Sequence, residues 1–312
     1  MKDKNDVASL HSSKRERKAL WKKAIKWPLY SVAVMPIILA AGWKYGSSEN
    51  LQLDQLFGFL IASILLLIWE NLTNDLFDET TGVDKFKLHS VIALTGKRKL
   101  IRNLAHLILI LGLGLIFLLS LRSHFAVFYL VLGSCLLGYL YQGPPFRLGY
   151  QGLGEPLCWI AFGPLATAAA LLVLSTNVTN IPWRNSFTLG SGPAVATTLI
   201  LFCANFHQVL EDSENGKKTL LVRLGTKRAS QLVPWFVTLS LGLELIPILN
   251  GYWPITALLG VIGLPPAIVL IRLLKKNHNK PSLISESKFL ALRFQALNGL
   301  GISLGLALGR FI

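Results

Sequence analysis

The sequence predicts an all-α membrane protein of nine transmembrane helices around a central cavity, with its N-terminus in the cytoplasm. Three observations carry this. Apolar runs of about 20 residues, the length that crosses roughly 30 Å of hydrocarbon, recur along the whole chain. Charged residues make up only 15% of it against 52% hydrophobic ones, and they cluster instead of interleaving with the apolar runs. The Lys and Arg residues fall in alternate connections between runs, as the positive-inside rule requires.

The apolar runs lie at 28–46, 54–73, 101–121, 125–142, 156–175, 191–209, 231–249, 253–273 and 286–310. Lipid offers no partner to exposed backbone N–H and C=O groups, so each run must be helical. Gly112 and Gly114, Gly163-Pro164 and Pro265-Pro266 sit inside the runs and suit close helix packing or kinks. With the N-terminus cytoplasmic, the tail and the second, fourth, sixth and eighth connections share one side. Of the 31 Lys and Arg residues only Lys44, Arg122, Arg184 and Arg310 then fall on the other. A wrong number of spans would scramble that asymmetry. The net charge of +15 is therefore topological, and no nucleic-acid partner is expected.

Residues 1–27 read as a basic tail lying flexibly against anionic headgroups, and 28–312 as one intramembrane domain. No apolar core with a small-residue cleavage site follows the tail, so a removable signal is not expected. Cys135, Cys158 and Cys203 all fall in apolar runs without metal-ligand spacing, and read as free thiols. A helix, an acidic loop and a basic helix start occur once after Ala62 and again after Leu199, hinting at two related halves.

Function is carried by two acidic motifs on the same expected side. The first is Asn74-Asp75-Leu76-Phe77-Asp78-Glu79-Thr80-Thr81-Gly82-Val83-Asp84-Lys85. If the second helix continues to Asp78, Asn74 and Asp78 share a face, and Asp84 folds back toward them after a Gly-bearing turn. The second runs Asn205-Phe206-His207-Gln208-Val209-Leu210-Glu211-Asp212, then Lys217, Lys218, Thr219 and Arg223. There Gln208 and Asp212 lie one turn apart, with Asn205 and Glu211 on neighbouring faces. Gathered carboxylates repel one another unless a cation lies between them, and hard oxygen donors select Mg²⁺ or Ca²⁺ over zinc. Oxygen ligands with basic residues beside them suit a diphosphate. Metal and cations stabilise the diphosphate as it leaves an allylic carbon.

With these residues in place, the chain resembles the UbiA-type intramembrane prenyltransferases, and within them the branch acting on 1,4-dihydroxy-2-naphthoate. The resemblance rests on 74–91, on Tyr141–Glu155 and on 205–226, and extends over nearly all the chain beyond the tail. Phe206-His207-Gln208-Val209 resembles the cyanobacterial and plastid members. The resemblance implies nine helices, Mg²⁺ between two facing motifs, a phytyl or other polyprenyl diphosphate as donor and an aromatic acid as acceptor. It further implies a plasma or thylakoid membrane in a cyanobacterium-like cell, and phylloquinone or menaquinone synthesis. Asn74, Asp78 and Asp84 fall on the family's first motif and Asp212 on its second, with Asp75, Gln208 and Glu211 as further metal candidates. Many relatives have Asp where this chain has Gln208, so the second motif has lost a charge that Glu211 is positioned to supply.

Lys85, Lys87, Lys217, Arg223 and Asn205 are candidates to hold the diphosphate. Ser90 is another, or else it caps the helix that follows it. Arg147, the only Lys or Arg of the fourth connection, suits bidentate pairing with an acceptor carboxylate or serves as a positive-inside anchor. Tyr139 and Tyr141 read as interfacial aromatics or cavity lining, His207 as a buried histidine or part of the acceptor site, and Glu155 as a helix N-terminal carboxylate. Two other readings compete. The acceptor could instead be homogentisate or a chlorophyllide-type molecule, or the chain could be a cation-coupled transporter, for which Glu244 is the one acid deep in a later span.

Overall fold

The computed structural model describes residues 14–25, 27–48, 50–81, 90–175 and 179–311. Among the described residues there is no strand, and each predicted apolar run coincides with a helix. Eight of these are long and apolar enough to cross a membrane: α1 Pro28–Gly46, α2 Leu53–Thr81, α3 Arg98–Arg122, α5 Gly154–Val173, α6 Trp183–Asn205, α7 Leu220–Leu249, α8 Ile255–Asn277 and α9 Ser287–Phe311. Between them α4, Ala126–Gln142, is apolar but shorter, at 17 residues.

Two helices overrun their apolar runs beside the motifs. α2 continues to Thr81, and α7 begins at Leu220, where Thr219 Oγ1 accepts from Val222 N–H. Gly225 interrupts α7 with φ +74° and ψ 155°, so its basic first turn is set off from the apolar remainder. The basic tail contributes a helix, Lys14–Ile25, packed on the short helix Val91–Thr95. Its Lys, Arg, Ala and Leu are strong helix formers, and Pro28 soon follows.

Alternation of the connections is visible in their contacts. At one end, Tyr150 reaches Asp78, Lys218 N–H donates to Tyr150, His207 meets Ser287, and Thr226 meets His278. At the other, Arg122 pairs with Asp54, His124 reaches the Thr179 carbonyl, and Arg184 lies 4.2 Å over the Tyr252 ring. Arg310 stacks over Tyr45 there too. The tail helix and both acidic motifs therefore share one end of the bundle, and the four exceptional cations lie toward the other.

Tight helix contacts rest on glycine. Gly305 of α9 lies so close to α8 that a Cβ would stand 2.2 Å from the Thr256 carbonyl oxygen. Gly305→Val is expected to force the two helices apart and lower stability by about 2 kcal/mol, read as a fall in the melting temperature of the detergent-solubilised protein.

A polar node ties α6, α7, α8 and α9 together. Asn298 Nδ2 donates to Glu244 Oε2 at 2.8 Å and reaches the Gly260 carbonyl at 3.3 Å. Ser240 Oγ meets the Gly192 carbonyl at 2.8 Å and Glu244 Oε1 at 3.2 Å. Gly192 is required here, because a Cβ would lie 2.6 Å from Glu244 Cγ. Glu244→Gln keeps acceptor and shape and should leave the melting temperature within a few degrees. Glu244→Leu should cost about 1–2 kcal/mol, the upper range for interhelical hydrogen bonds in membranes.

Candidate active site

The first motif rides on the last turns of α2, where Asp75 and Asp78 are buried and Asn74 is half-buried. Asp75 Oδ2 accepts from Val91 N–H at 3.0 Å and so fastens Val91–Thr95 against α2. Ser90 caps that helix, its Oγ accepting from Ala93 N–H at 3.0 Å, which leaves its own proton to donate elsewhere. Asp84, Lys85 and Lys87 lie outside the described residues.

The second motif does not continue α6 as one helix. The chain turns through Phe206–Gln208 after the buried Asn205, and a new short helix, Val209–Glu214, follows. One-turn spacing survives, with Asp212 N–H donating to the Gln208 carbonyl at 2.7 Å. Asp212 is 1% exposed, while Gln208 and Glu211 are half-buried. Gly216, at φ +75°, reverses the chain, and Lys217 N–H donates back to the Asp212 carbonyl at 2.8 Å. The Lys217 ammonium thereby lies 3.3 Å from Asp212 Oδ1 and 3.9 Å from Asp78 Oδ1. The two motifs face each other closely enough for one cation to touch both.

The fourth connection closes this centre from the side. It contains a cis Pro144-Pro145 bond, a left-handed Arg147 (φ +44°) and the 3₁₀ turn Leu148–Gln151. Tyr150 of that turn donates its hydroxyl to Asp78 Oδ1 at 2.9 Å, with Thr81 Oγ1 also 2.9 Å away. Its ring lies under Lys217 Nζ at 4.5 Å and beside the Arg147 guanidinium at 5.7 Å. Burial and the Asp78 carboxylate push the Tyr150 phenol up, so it stays a protonated donor at neutral pH. Arg147 Nε is buried and makes no hydrogen bond among the described residues.

Arg223 spends two donors on the backbone: Nη2 reaches the Gln151 carbonyl at 2.7 Å and Nε the Lys218 carbonyl at 2.9 Å. It pins the fourth and sixth connections together beside the centre. Tyr141 packs on the backbone of Gly149 and Gly154, where an added Cβ would stand 2.5 and 2.7 Å from its ring. Tyr139 donates to the Pro144 carbonyl and braces the same loop. His207 lies 3.3 Å from Ser287 Oγ. Burial and nearby Lys288 push its pKa down, keeping the imidazole neutral at pH 7. The three cysteines are free thiols.

Among the described residues, no three His, Cys, Asp or Glu side chains form a group able to hold a metal unaided. The donor set nonetheless fits Mg²⁺. It is all oxygen, it offers one buried carboxylate from each motif, and Mg²⁺ is usually held by one or two carboxylates together with substrate phosphates and water. Asp78 and Asp212 would hold it. Sequence reasoning missed Tyr150 and Thr81. The available signal was a tyrosine in a short loop beside the expected acidic centre, three residues after the loop's single cation.

The model of the UbiA prenyltransferase family matches residues 33–292. The chain is 40% identical to the 2-carboxy-1,4-naphthoquinone phytyltransferase of Synechocystis sp. strain PCC 6803, over 92% of each chain. It is 37% identical to the chloroplastic enzyme of that name from Arabidopsis thaliana, over 99% of this chain and 82% of that one. The 1,4-dihydroxy-2-naphthoate octaprenyltransferase of Mycobacterium tuberculosis is 28% identical, over 76% and 79%. Among solved structures, one of a digeranylgeranylglyceryl phosphate synthase superposes with TM-score 0.62, covering 94% of this chain and 99% of that one at 16% identity. A UbiA homologue from Archaeoglobus fulgidus bound to DMAPP and Mg²⁺ gives 0.56, covering 90% and 99% at 16% identity. These two show likeness of fold.

Proposed function

Because the chain belongs to the UbiA prenyltransferase family, we propose that it transfers a phytyl group from phytyl diphosphate to 1,4-dihydroxy-2-naphthoate, with loss of diphosphate and CO₂. The single observation that carries the chemistry is the convergence of Asp78, Asp212 and Lys217 at one end of an apolar bundle. The choice of substrates is supported by the two relatives above 35% identity that are phytyltransferases.

Mg²⁺ bound at Asp78 and Asp212 would neutralise the diphosphate as its bond to the allylic carbon breaks. Lys217 then supplies a second positive charge to the departing oxygens, with Lys85, Lys87 and Arg223 as further cations of the same two connections. The prenyl chain lies among the apolar helices, where exclusion of water keeps the allylic cation from being quenched. The acceptor's ring carbon that bears the carboxyl group forms the new C–C bond. Its bond to the carboxyl carbon breaks, the electron pair returns to the ring, and CO₂ leaves. No oxidant is needed and the product is a quinol. The two relatives' name gives the acceptor in its oxidised form; the reduced ring is the one rich enough in electrons to attack a cation. Arg147, beside this centre, pairs with the acceptor carboxylate.

Residues 28–312 constitute the catalytic domain, and the helix Lys14–Ile25 lies with the motif end on the cytoplasmic face of a thylakoid or plasma membrane. A transporter would place its charges near mid-membrane. Here the one deep acid of the later helices, Glu244, is engaged in helix contacts instead. An acceptor panel tests the assignment: 1,4-dihydroxy-2-naphthoate, homogentisate and 4-hydroxybenzoate, each with phytyl diphosphate and Mg²⁺, followed by mass spectrometry. Dominant turnover of the naphthoate is expected; preference for homogentisate would retain the chemistry and overturn the acceptor.

A further inference from the structure

We propose that Tyr150 is a positioning residue that joins the two acidic motifs, its hydroxyl fixing the Asp78 carboxylate for Mg²⁺ and its ring seating Lys217 for the diphosphate. The proposal rests on the prenyl-transfer reading and deepens it. A carboxylate only accepts, so the phenol must donate to Asp78 Oδ1, across 2.9 Å. Thr81 Oγ1, also at 2.9 Å, is then the partner that can donate to the phenol oxygen, its single proton shared between that oxygen and the Asp78 main-chain carbonyl at 3.0 Å. Thr81 is one turn beyond Asp78 on the same helix, so the phenol is held from the helix whose carboxylate it orients.

The ring does separate work. Its face lies 4.5 Å from Lys217 Nζ, which also contacts Asp78 and Asp212, so the ammonium is confined between a π face and two carboxylates. The backbone completes the link, because the Tyr150 carbonyl accepts from Lys218 N–H at 2.7 Å. One residue of the fourth connection thus reaches the first motif through its hydroxyl, and the second through its ring and carbonyl. Partners that orient a metal's carboxylates are commonly worth about 10- to 100-fold in metal affinity.

The two functions of the side chain are separable by substitution. Tyr150→Phe keeps the ring and removes the hydroxyl. Tyr150→Leu removes both. Binding of Mn²⁺, used in place of Mg²⁺, is measured by electron paramagnetic resonance on the full chain in detergent. An unreactive prenyl thiolodiphosphate is present, with no acceptor. Tyr150→Phe is expected to raise the Mn²⁺ dissociation constant about tenfold and to raise the half-saturating Mg²⁺ in turnover alongside it. The KM for the aromatic acid should stay within about twofold of the parent's, which a general loosening of the site would not allow. Tyr150→Leu should in addition raise the KM for the prenyl diphosphate several-fold.

Thr81→Val leaves the phenol in place without its donor and should weaken Mn²⁺ binding several-fold; it carries the test if Tyr150→Phe does not fold. Unchanged Mn²⁺ affinity in Tyr150→Phe, or in Thr81→Val where that is the folded variant, overturns the proposal whatever happens to turnover. A parent protein that binds Mn²⁺ with the analogue but prenylates no naphthoate would sink the acceptor assignment and leave Tyr150's role standing.

Discussion

Asp78→Asn and Asp212→Asn are each expected to lower kcat/KM by about 100- to 1000-fold, the loss typical when one preorganised electrostatic group is removed from a developing charge. Both carboxylates are buried, and both contact the Lys217 ammonium, at 3.9 and 3.3 Å. Asparagine keeps the shape, so the melting temperature should stay within a few degrees while a charge proposed to hold Mg²⁺ is lost. The deficit should narrow as Mg²⁺ is raised, which a folding defect would not do. Asp75→Asn provides the internal contrast. Its Oδ2 accepts from Val91 N–H, a bond that an amide oxygen can also make, so its loss should stay within about tenfold. Steady-state rates against Mg²⁺ for the three variants check all of this together.

Arg147→Met should act on the acceptor instead of the metal. The guanidinium lies beside the Tyr150 ring, 5.7 Å from its centroid, and its Nε is buried without a hydrogen bond among the described residues. In the proposed complex the acceptor carboxylate would be its partner, and breaking a buried ion pair by removing one side costs about 3–5 kcal/mol. The expected result is a loss of about 100-fold or more in kcat/KM for the naphthoate, with the KM for the prenyl diphosphate and the Mg²⁺ dependence near the parent's. Arg147→Lys should recover part of it, because an ammonium keeps the charge but loses the planar fork. An equal rise in the prenyl diphosphate KM would instead assign Arg147 to the phosphates.

Helix number and alternation were legible because lipid leaves the backbone one option and apolar length counts the crossings. The motif residues Asp78, Asp212 and Lys217 were legible too, as acids and a cation grouped beside apolar helix ends. What the sequence concealed was side-chain assignment within those groups. Asp75 and Asp78 look equivalent in a motif, yet one oxygen of Asp75 is taken by the backbone at Val91. Ser90 and Arg223 likewise bond to the chain itself, as a cap and as a loop fastener. The turn at Phe206–Gln208 was hidden because one-turn spacing between Gln208 and Asp212 is the same whether the helix continues or restarts. Tyr150 escaped because its importance depends on loop geometry, set by left-handed residues at Arg147 and Gly152, which no periodicity encodes.

The most direct test of the central claim uses purified protein in lipid vesicles with phytyl diphosphate, Mg²⁺ and 1,4-dihydroxy-2-naphthoate labelled with ¹³C in its carboxyl group. Prenylated quinol and ¹³CO₂ are measured together, beside a chelator control and Asp78→Asn. Equal amounts of the two products, abolished by the chelator and nearly so in the variant, are what the account predicts. Prenylated product that retains the label, or turnover untouched by the chelator and by Asp78→Asn, would contradict it.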